Sequence, residues 1–338
     1  MWPPDSESGQ MLLYILRRLI VMIPVTILIS VIGFIIIQAP PGDFVSSYIA
    51  GLEAQGDIIE PELIDSLRAR YGLGEPIYVQ YWKWVSSFVE GDLGYSMIYR
   101  EPVVDIIAQR LPSSFTISLL SLILVYVIGI PIGILSATKQ YSLADYSFTV
   151  VGFLGMATPN FLLALVGLWL LFKWTGNVAI GLYSPEMQNA PFGLAKFLDL
   201  VGHIWLPALI VGTAGTAELI RTMRANLLDE LPKQYVTVAR ARGVKPTKLL
   251  YKYPLRIAIN PVISTVGWLL PVLVEGEVLV SLVLGLPTIA PVLLDSLLQQ
   301  DMFLATSIIM ILGILTLVGT LLSDILLAIV DPRIRGAV

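Results

Sequence analysis

The residues best suited to chemistry form one basic segment between two apolar stretches. It carries seven Lys and Arg side chains and no acidic one: Lys233, Arg240, Arg242, Lys245, Lys248, Lys252 and Arg256. Such a segment can dock a partner, touch anionic lipid or simply hold the chain's orientation in a membrane. We predict that this segment docks a partner, and we predict no catalytic residues in the chain.

Other reactive groups are scarce in the sequence. There is no cysteine, which excludes disulfides, thiolate catalysis and cysteine-ligated metals. The single histidine, His203, is expected to pack or to lie at a membrane interface. The dipeptide Gly-Lys does not occur, so the chain has no phosphate-binding loop of the Walker type. We therefore predict neither a metal nor a cofactor in this chain, and no enzymatic activity of its own.

The basic segment has a predictable local shape. Residues 234–242 can form a short helix, Gly243 can end it with a positive φ, and Pro246 can begin a second helical segment. The alanines at 239 and 241 are small enough to allow close approach by a partner. We call residues 235–248 the elbow.

Composition indicates the class of protein to which the elbow belongs. Of the 338 residues, 56% are hydrophobic and 14% charged, and the mean hydropathy is +0.80. These values are typical of an integral membrane protein rather than a soluble domain. Because the charges are unevenly placed along the chain, the net charge of −4 says little about partners. No nucleic acid is expected among them.

Uncharged or nearly uncharged runs predict six transmembrane helices, since about 20 apolar residues cross a bilayer core. The predicted spans are 11–39, 111–138, 146–173, 204–228, 257–284 and 302–330. The remaining segments are a disordered start at 1–10, external segments at 40–110 and 174–203, a cytoplasmic loop at 229–256, an external gate loop at 285–301 and a tail at 331–338. The predicted fold is all-α.

The distribution of Lys and Arg predicts the orientation. One side of the predicted topology receives fourteen of them and the other seven, although the loops of the second side are longer. Since cytoplasmic loops carry the excess of Lys and Arg, the elbow and both termini are predicted to be cytoplasmic.

Several polar residues lie inside or beside the spans. Glu218 and Arg221 are three residues apart, so they can neutralise each other on one helix face, or they can belong to a translocation path. Glu275 and Glu277 cannot share a helix face, and at least one is expected to face water, a cavity or another subunit.

Two backbone features accompany these charges. Gly129 and Gly133 allow close helix contact in the second span. Pro159 and Asn160 follow Thr158 in the third span, where they should break the helix and leave carbonyls that need protein or a watery cavity. Pro159 and Asn160 are therefore candidates for the lining of a path.

A series of ordered motifs resembles one family over nearly the whole chain. The basic segment, from Lys233 to Gly243 and on to Pro261, resembles the cytoplasmic coupling loop of bacterial and archaeal ABC importer permeases. The nearest subclass is the B-type permease of the dipeptide/oligopeptide/nickel family. Further matching segments are Ala39–Asp43, Arg70–Pro76, Gln80–Trp82, Gly91–Ser96, Arg110–Pro112, Leu206–Ala208 and Asp331–Arg335.

The resemblance implies a six-helix type I ABC importer permease fold with a large extracytoplasmic loop between helices 1 and 2. It implies a homologous second permease, two cytoplasmic ATPases that use ATP and Mg²⁺, an extracytoplasmic substrate-binding protein, and a place in the cytoplasmic membrane of a bacterium or archaeon. The expected ATPase contacts are Tyr235, Ala239, Arg240, Ala241, Arg242, Gly243 and Lys245.

The sequence also departs from the family. Thr237, Val238 and Ala239 stand where the general permease signature has Glu-Ala-Ala, and Ser281 begins a stretch lacking the family's usual glutamate and two glycines. Ser281 is therefore a candidate gate residue. Peptides, oligosaccharides and nickel complexes all remain open as cargo. A secondary transporter or channel subunit without an ATPase is the alternative function, and a membrane scaffold would not explain the motif series.

Overall fold

The computed structural model describes residues 7–39, 45, 75–176 and 180–330. Within these ranges every regular element is a helix. In chain order they are α1 (Glu7–Gln38), α2 (Ile77–Glu90), α3 (Val103–Thr138), α4 (Leu143–Ala157), α5 (Asn160–Thr175), α6 (Leu194–Glu230), α7 (Gln234–Ala241), α8 (Pro246–Lys252), α9 (Pro254–Ala258), α10 (Asn260–Ser264), α11 (Val266–Leu284), α12 (Ile289–Leu298) and α13 (Met302–Val330).

Among the described residues, four helices are long and apolar enough to cross a membrane: Met11–Gln38, Val103–Thr138, Leu194–Glu230 and Met302–Ile325. The number rises to six if each of two broken helix pairs is counted as one span. An all-helical structure is what the bilayer demands, because a helix satisfies its backbone hydrogen bonds within one segment. The predicted all-α class is confirmed.

Several predicted segments lie partly or wholly outside the described residues, among them most of 40–74 and the tail at 331–338. Three of the matching segments named above fall there wholly or mostly: Asp331–Arg335, Ala39–Asp43 after its first residue, and Arg70–Pro76 up to residue 74. At the start of the chain the prediction of disorder is wrong for residues 7–10, which form the first turn of α1.

The described chain divides into two compact units. The first, called the core unit, comprises the residues up to 18, those from 114 to 287 and those from 316 onward. The second, called the peripheral unit, comprises residues 19–113 and 288–315.

Helix α6 organises the core unit. It packs against α4, α5, α9, α10 and α11. Its buried side chains recur at helical spacing and include Leu206, Ile210, Leu219, Met223 and Leu227. Helix α6, 37 residues long, therefore lies at the centre of the packing in this unit.

The two glycines of the second span serve helix packing, as predicted. A Cβ added at Gly133 would lie 2.6 Å from Cβ of Met223 and 3.1 Å from the carbonyl oxygen of Ile220. One added at Gly129 would lie 2.8 Å from a methyl group of Leu219. Helix α3 therefore approaches α6 more closely than any larger residue would permit.

The predicted break in the third span is also present. Helix α4 ends at Ala157 and α5 begins at Asn160, and the two are bent by 108°. Proline disfavours helical backbone in the residue before it, and Thr158 accordingly has extended angles, with φ −93° and ψ 123°. The apolar run 146–173 is thus two helices rather than one straight helix.

Other helix boundaries differ from the predicted spans. Helix α3 begins at Val103 and α6 at Leu194, each several residues before its apolar run, because a helix can continue into polar surroundings. The predicted gate loop contains a helix, α12. The start of the fifth span is divided into α9, α10 and α11, and Pro254 and Pro261 lie in the first turns of the two short helices.

The carboxylate of Asp301 links two segments of the peripheral unit by hydrogen bonds. We call this arrangement the Asp301 clip. Asp301, which is fully buried before α13, accepts hydrogen bonds from Ser96 Oγ at 2.7 Å and from the N–H groups of Met97 and Ile98 at 2.8 and 3.2 Å. Its other oxygen accepts from the N–H of Leu304 at 3.2 Å, inside the first turn of α13. One carboxylate therefore joins the turn after α2 to the start of the last helix.

Candidate functional site: the elbow and the polar residues of the spans

The elbow has the predicted helix–glycine–helix shape. Gly243 has φ +77°, the N–H of Gly243 donates to the carbonyl of Arg240 at 3.0 Å, and the N–H of Val244 donates to the carbonyl of Ala239 at 3.3 Å. These two bonds form a Schellman motif, which satisfies carbonyls at the end of α7. Pro246 then occupies the first turn of α8. The change of direction is therefore built into the backbone.

A small apolar core holds the two arms of the elbow together. Val236, Ala239 and Leu249 are buried in it, and Val244 packs against them. Ala239 therefore lies inside the elbow and packs its arms together. The exposed members of the predicted contact set are Arg240, Ala241, Arg242, Gly243 and Lys245.

Tyr235 ties the elbow to the end of α6. Its hydroxyl donates to a carboxylate oxygen of Glu230 at 2.5 Å. Burial, and then this hydrogen bond, raise the pKa of the Tyr235 hydroxyl above its ordinary value. The hydroxyl therefore joins α7 to Glu230, the last residue of α6.

The second arm of the elbow, α8, is connected to α6 through the short helices that follow it. Helix α8 packs on α9, and both α9 and α10 pack on α6. Leu255, Ala258 and Val262 belong to the same buried core as Leu227 near the end of α6. Both arms of the elbow are thus anchored to α6, one directly and one through buried apolar contacts.

The structure contains an ion pair that the sequence analysis missed. Arg224 on α6 makes a bidentate contact with Asp145 at the start of α4, with both nitrogen–oxygen distances 3.0 Å. Asp145 also accepts from the N–H of Tyr141 at 3.0 Å, and Ser142 caps α4 by accepting from the N–H of Asp145. The one local signal was the Ser-x-x-Asp capping signature at 142–145.

The predicted pair of Glu218 and Arg221 is formed. An Nη of Arg221 lies 2.6 Å from a Glu218 oxygen, and the Arg221 side chain is 66% exposed. Arg221 also lines an open cleft of about 260 Å³ between α4 and α6, together with Tyr146 and Arg224. Arg221 is therefore accessible from this cleft.

The two glutamates of the fifth span are placed differently from the exposed pair. Glu277 is fully buried in α11, and Ser281, one turn later, is 1% exposed. The hydroxyl of Ser114 on α3 is a polar neighbour of the Glu277 carboxyl. Glu275 lies in α11 by its backbone, while its side chain is outside the described part of the structure. The Glu277 carboxyl therefore does not face bulk water.

The broken third span approaches the same helix. Asn160, the first residue of α5, places its side-chain nitrogen 3.5 Å from where a Cβ of Gly276 would lie. Pro159 is exposed at the bend. The helix break, Glu277 and Ser281 therefore lie along one packed pair, α5 and α11. Among the described residues, no group of three or more His, Asp or Glu side chains is arranged to hold a metal ion.

Comparison with known proteins agrees with this architecture. Residues 129–336 match the family model described as "Binding-protein-dependent transport system inner membrane component", and residues 11–120 match the N-terminal membrane component of the same systems. The inward-facing methionine ABC transporter MetNI aligns with a TM-score of 0.53 at 14% identity, covering 68% of this chain and 97% of the other. That likeness defines a type I ABC permease fold.

Individual relatives align over almost their full length. The oligopeptide transport system permease protein AppB of Bacillus subtilis (strain 168) is 37% identical over 323 residues, covering 95% of this chain and 99% of the relative. The glutathione transport system permease protein GsiC of Escherichia coli (strain K12) is 31% identical over 325 residues, covering 96% and 99%. The chain therefore belongs to the family of binding-protein-dependent transport system inner membrane components, the permease subunits of ABC importers. It is a multi-pass membrane protein.

Proposed function

We propose that this chain is the permease subunit of an ATP-driven, binding-protein-dependent importer of peptides. The cargo class rests on the relatives, because oligopeptides and glutathione are both peptides. None of the relatives cited above is named for an oligosaccharide. We further propose that the chain forms half of the translocation pathway with a homologous second permease, and that an extracytoplasmic binding protein delivers the peptide.

The observation that carries the coupling proposal is the elbow. It presents an exposed, small-residue surface at Ala241 and Gly243, while buried contacts anchor both of its arms to α6. We propose that this surface sits on one of two cytoplasmic ATPases, which bind ATP and Mg²⁺. Because the Schellman turn and Pro246 define its shape, the elbow moves as one body when the ATPases close.

The motion has a physical route into the membrane. Displacement of the elbow moves the end of α6, which packs against α4, α5 and α11. The Arg224–Asp145 pair joins α6 to α4, and the α5–α11 pair carries Asn160, Glu277 and Ser281. We propose that these helices rock together and exchange inward for outward access. The proposed pathway or gate residues are Pro159, Asn160, Glu218, Arg221, Glu275, Glu277 and Ser281.

Replacing Ala241 by glutamate tests the coupling proposal. Ala241 is exposed, so the change should leave the fold intact while placing a carboxylate in the proposed contact. In liposomes containing the complete importer, we expect peptide uptake to fall about tenfold or more, the effect of losing about 1.4 kcal/mol at an interface. ATP hydrolysis per peptide transported should rise.

The matched control is Asn189→Glu, which adds the same charge at another exposed loop position and should leave uptake unchanged. If no ATPase accompanies the intact native complex, and Ala241→Glu transports normally, the coupling proposal fails. Uptake driven by an ion gradient without ATP would instead indicate a secondary transporter.

A further inference from the structure

Helix α2 is amphipathic and lies in the peripheral unit. Its inner face packs against the end of α1: Tyr81 meets Ser30 with 2.9 Å between their hydroxyl oxygens, and Trp84 stacks on Phe34 with ring centroids 5.9 Å apart. Next to these contacts, Gln38 donates to Gln80 at 3.1 Å. Side chains from the first turns of α13, Met302, Ala305 and Met310, join the same apolar cluster.

These contacts determine how deep α2 lies in the bilayer. It touches the last nine residues of the span Met11–Gln38 and the first nine of the span Met302–Ile325. A 28-residue span is about 42 Å long, against a hydrocarbon core of about 30 Å, so its ends reach the headgroup layer. A helix packed on those ends lies at the boundary between headgroups and acyl chains.

The outer surface of α2 is divided into two sectors. Tyr78, Trp82 and Val89 are 74%, 69% and 81% exposed, and at about 100° per residue they lie within about 40° of one another. Lys83 and Glu90 lie about 100° further round the helix, and both are exposed. The surface therefore has a buried face, an exposed aromatic stripe beside it and a charged face beyond.

We propose that α2 is an interfacial membrane helix whose stripe Tyr78–Trp82–Val89 is embedded in the headgroup region of the bilayer. Trp and Tyr are the residues enriched at this depth, and an amphipathic helix with a charged outer face lies in the plane of the interface. The stripe continues the apolar surface of α1, where Ile35 and Ile36 are exposed. The occupant of the stripe is lipid rather than the substrate-binding protein.

Single cysteines carrying an environment-sensitive fluorophore test this proposal directly. The chain has no cysteine of its own, so each variant has a single labelling site in this chain. Trp82→Cys and Val89→Cys would be compared with their sequence neighbours Lys83→Cys and Glu90→Cys in the complete complex, reconstituted in phosphatidylcholine vesicles. Labels at 82 and 89 should emit at shorter wavelength and be quenched by lipid with a nitroxide near the headgroup.

Labels at 83 and 90 should show neither the shift nor the lipid quenching, and should be quenched by a water-soluble nitroxide instead. Addition of the substrate-binding protein should leave the label at 82 unchanged. The proposal is overturned if all four labels behave alike, if 82 and 89 respond only to the aqueous quencher, or if the binding protein displaces the lipid quenching. Transport activity is not the readout, so failure here would leave the proposed coupling function intact.

Discussion

Two arginines on α6 show how burial determines what an ion pair contributes. Arg221 pairs with Glu218 on the same helix and is largely exposed. Arg224, one turn later, pairs with Asp145, whose side chain is 4% exposed. An exposed pair contributes little, whereas losing the buried Asp145 carboxylate removes two charge-assisted hydrogen bonds from Arg224.

Replacing Asp145 by asparagine should therefore destabilise the chain by about 1.5–3 kcal/mol, and the control Glu218→Gln by less than about 1 kcal/mol. Each substitution removes the carboxylate partner of one of the two arginines. Thermal unfolding of the detergent-solubilised complex, followed by tryptophan fluorescence, gives the comparison. Equal losses for both variants would show that burial does not distinguish the pairs.

The sequence predicted one of these pairs and missed the other for a physical reason. Glu218 and Arg221 are three residues apart, so helix geometry alone brings them together. Asp145 and Arg224 are 79 residues apart, and their contact depends on how α4 packs against α6. In the same way, the turn of the elbow was predictable because Gly243 and Pro246 act on their own backbone. The burial of Ala239 was not predictable, because it depends on how α8 packs against α7.

At the scale of helices, apolar runs predicted that the spans exist better than they predicted the first and last residues of each helix. Hydropathy identifies the residues that need lipid or protein around them, and says little about how far a helix continues outside the bilayer. The two proline-led short helices before α11 were hidden because residues 257–274 form one uncharged, mostly apolar run. The break at Thr158 was visible because proline acts on its immediate neighbour.

The packing of α3 on α6 gives a prediction at the level of helices. Gly133→Ala places a methyl group 2.6 Å from Met223 Cβ and 3.1 Å from the carbonyl oxygen of Ile220. Because that oxygen belongs to the backbone of α6, the helices must shift to make room for the methyl group. We expect a loss of about 1–3 kcal/mol from overpacking. The measurement is again thermal unfolding of the solubilised complex.

Gly202→Ala is the matched control, since Gly202 is also inside a helix but has nothing within 4 Å of an added Cβ. That variant should be neutral or stabilising by up to about 1 kcal/mol, because alanine favours helix. A loss of stability at Gly202 equal to that at Gly133 would rule out close packing as the cause.

For the whole molecule, the fold class followed from composition and from the bilayer's requirement for satisfied backbone groups. Membership of the permease family followed from motifs spread along the chain. Orientation remains a prediction that rests on the excess of Lys and Arg on one side. The orientation can be tested with single introduced cysteines, because this chain has no native cysteine.

Lys248→Cys and Asn189→Cys place thiols at two exposed positions that the predicted topology assigns to opposite sides of the membrane. In intact cells, a membrane-impermeant maleimide should label position 189 and leave 248 unlabelled. Permeabilising the membrane should make 248 reactive. Labelling of 248 in intact cells would reverse the assigned orientation, and the elbow would then be out of reach of any cytoplasmic ATPase.

The clip at Asp301 has a consequence for the order of biosynthesis. The donors at Ser96, Met97 and Ile98 are synthesised about two hundred residues before the carboxylate that receives them. Until that acceptor emerges from the ribosome, water must satisfy the Ser96 hydroxyl and the backbone N–H groups of Met97 and Ile98. The turn after α2 therefore closes only when the last helix begins to insert, so its resistance to protease marks a nascent chain that has reached its final span.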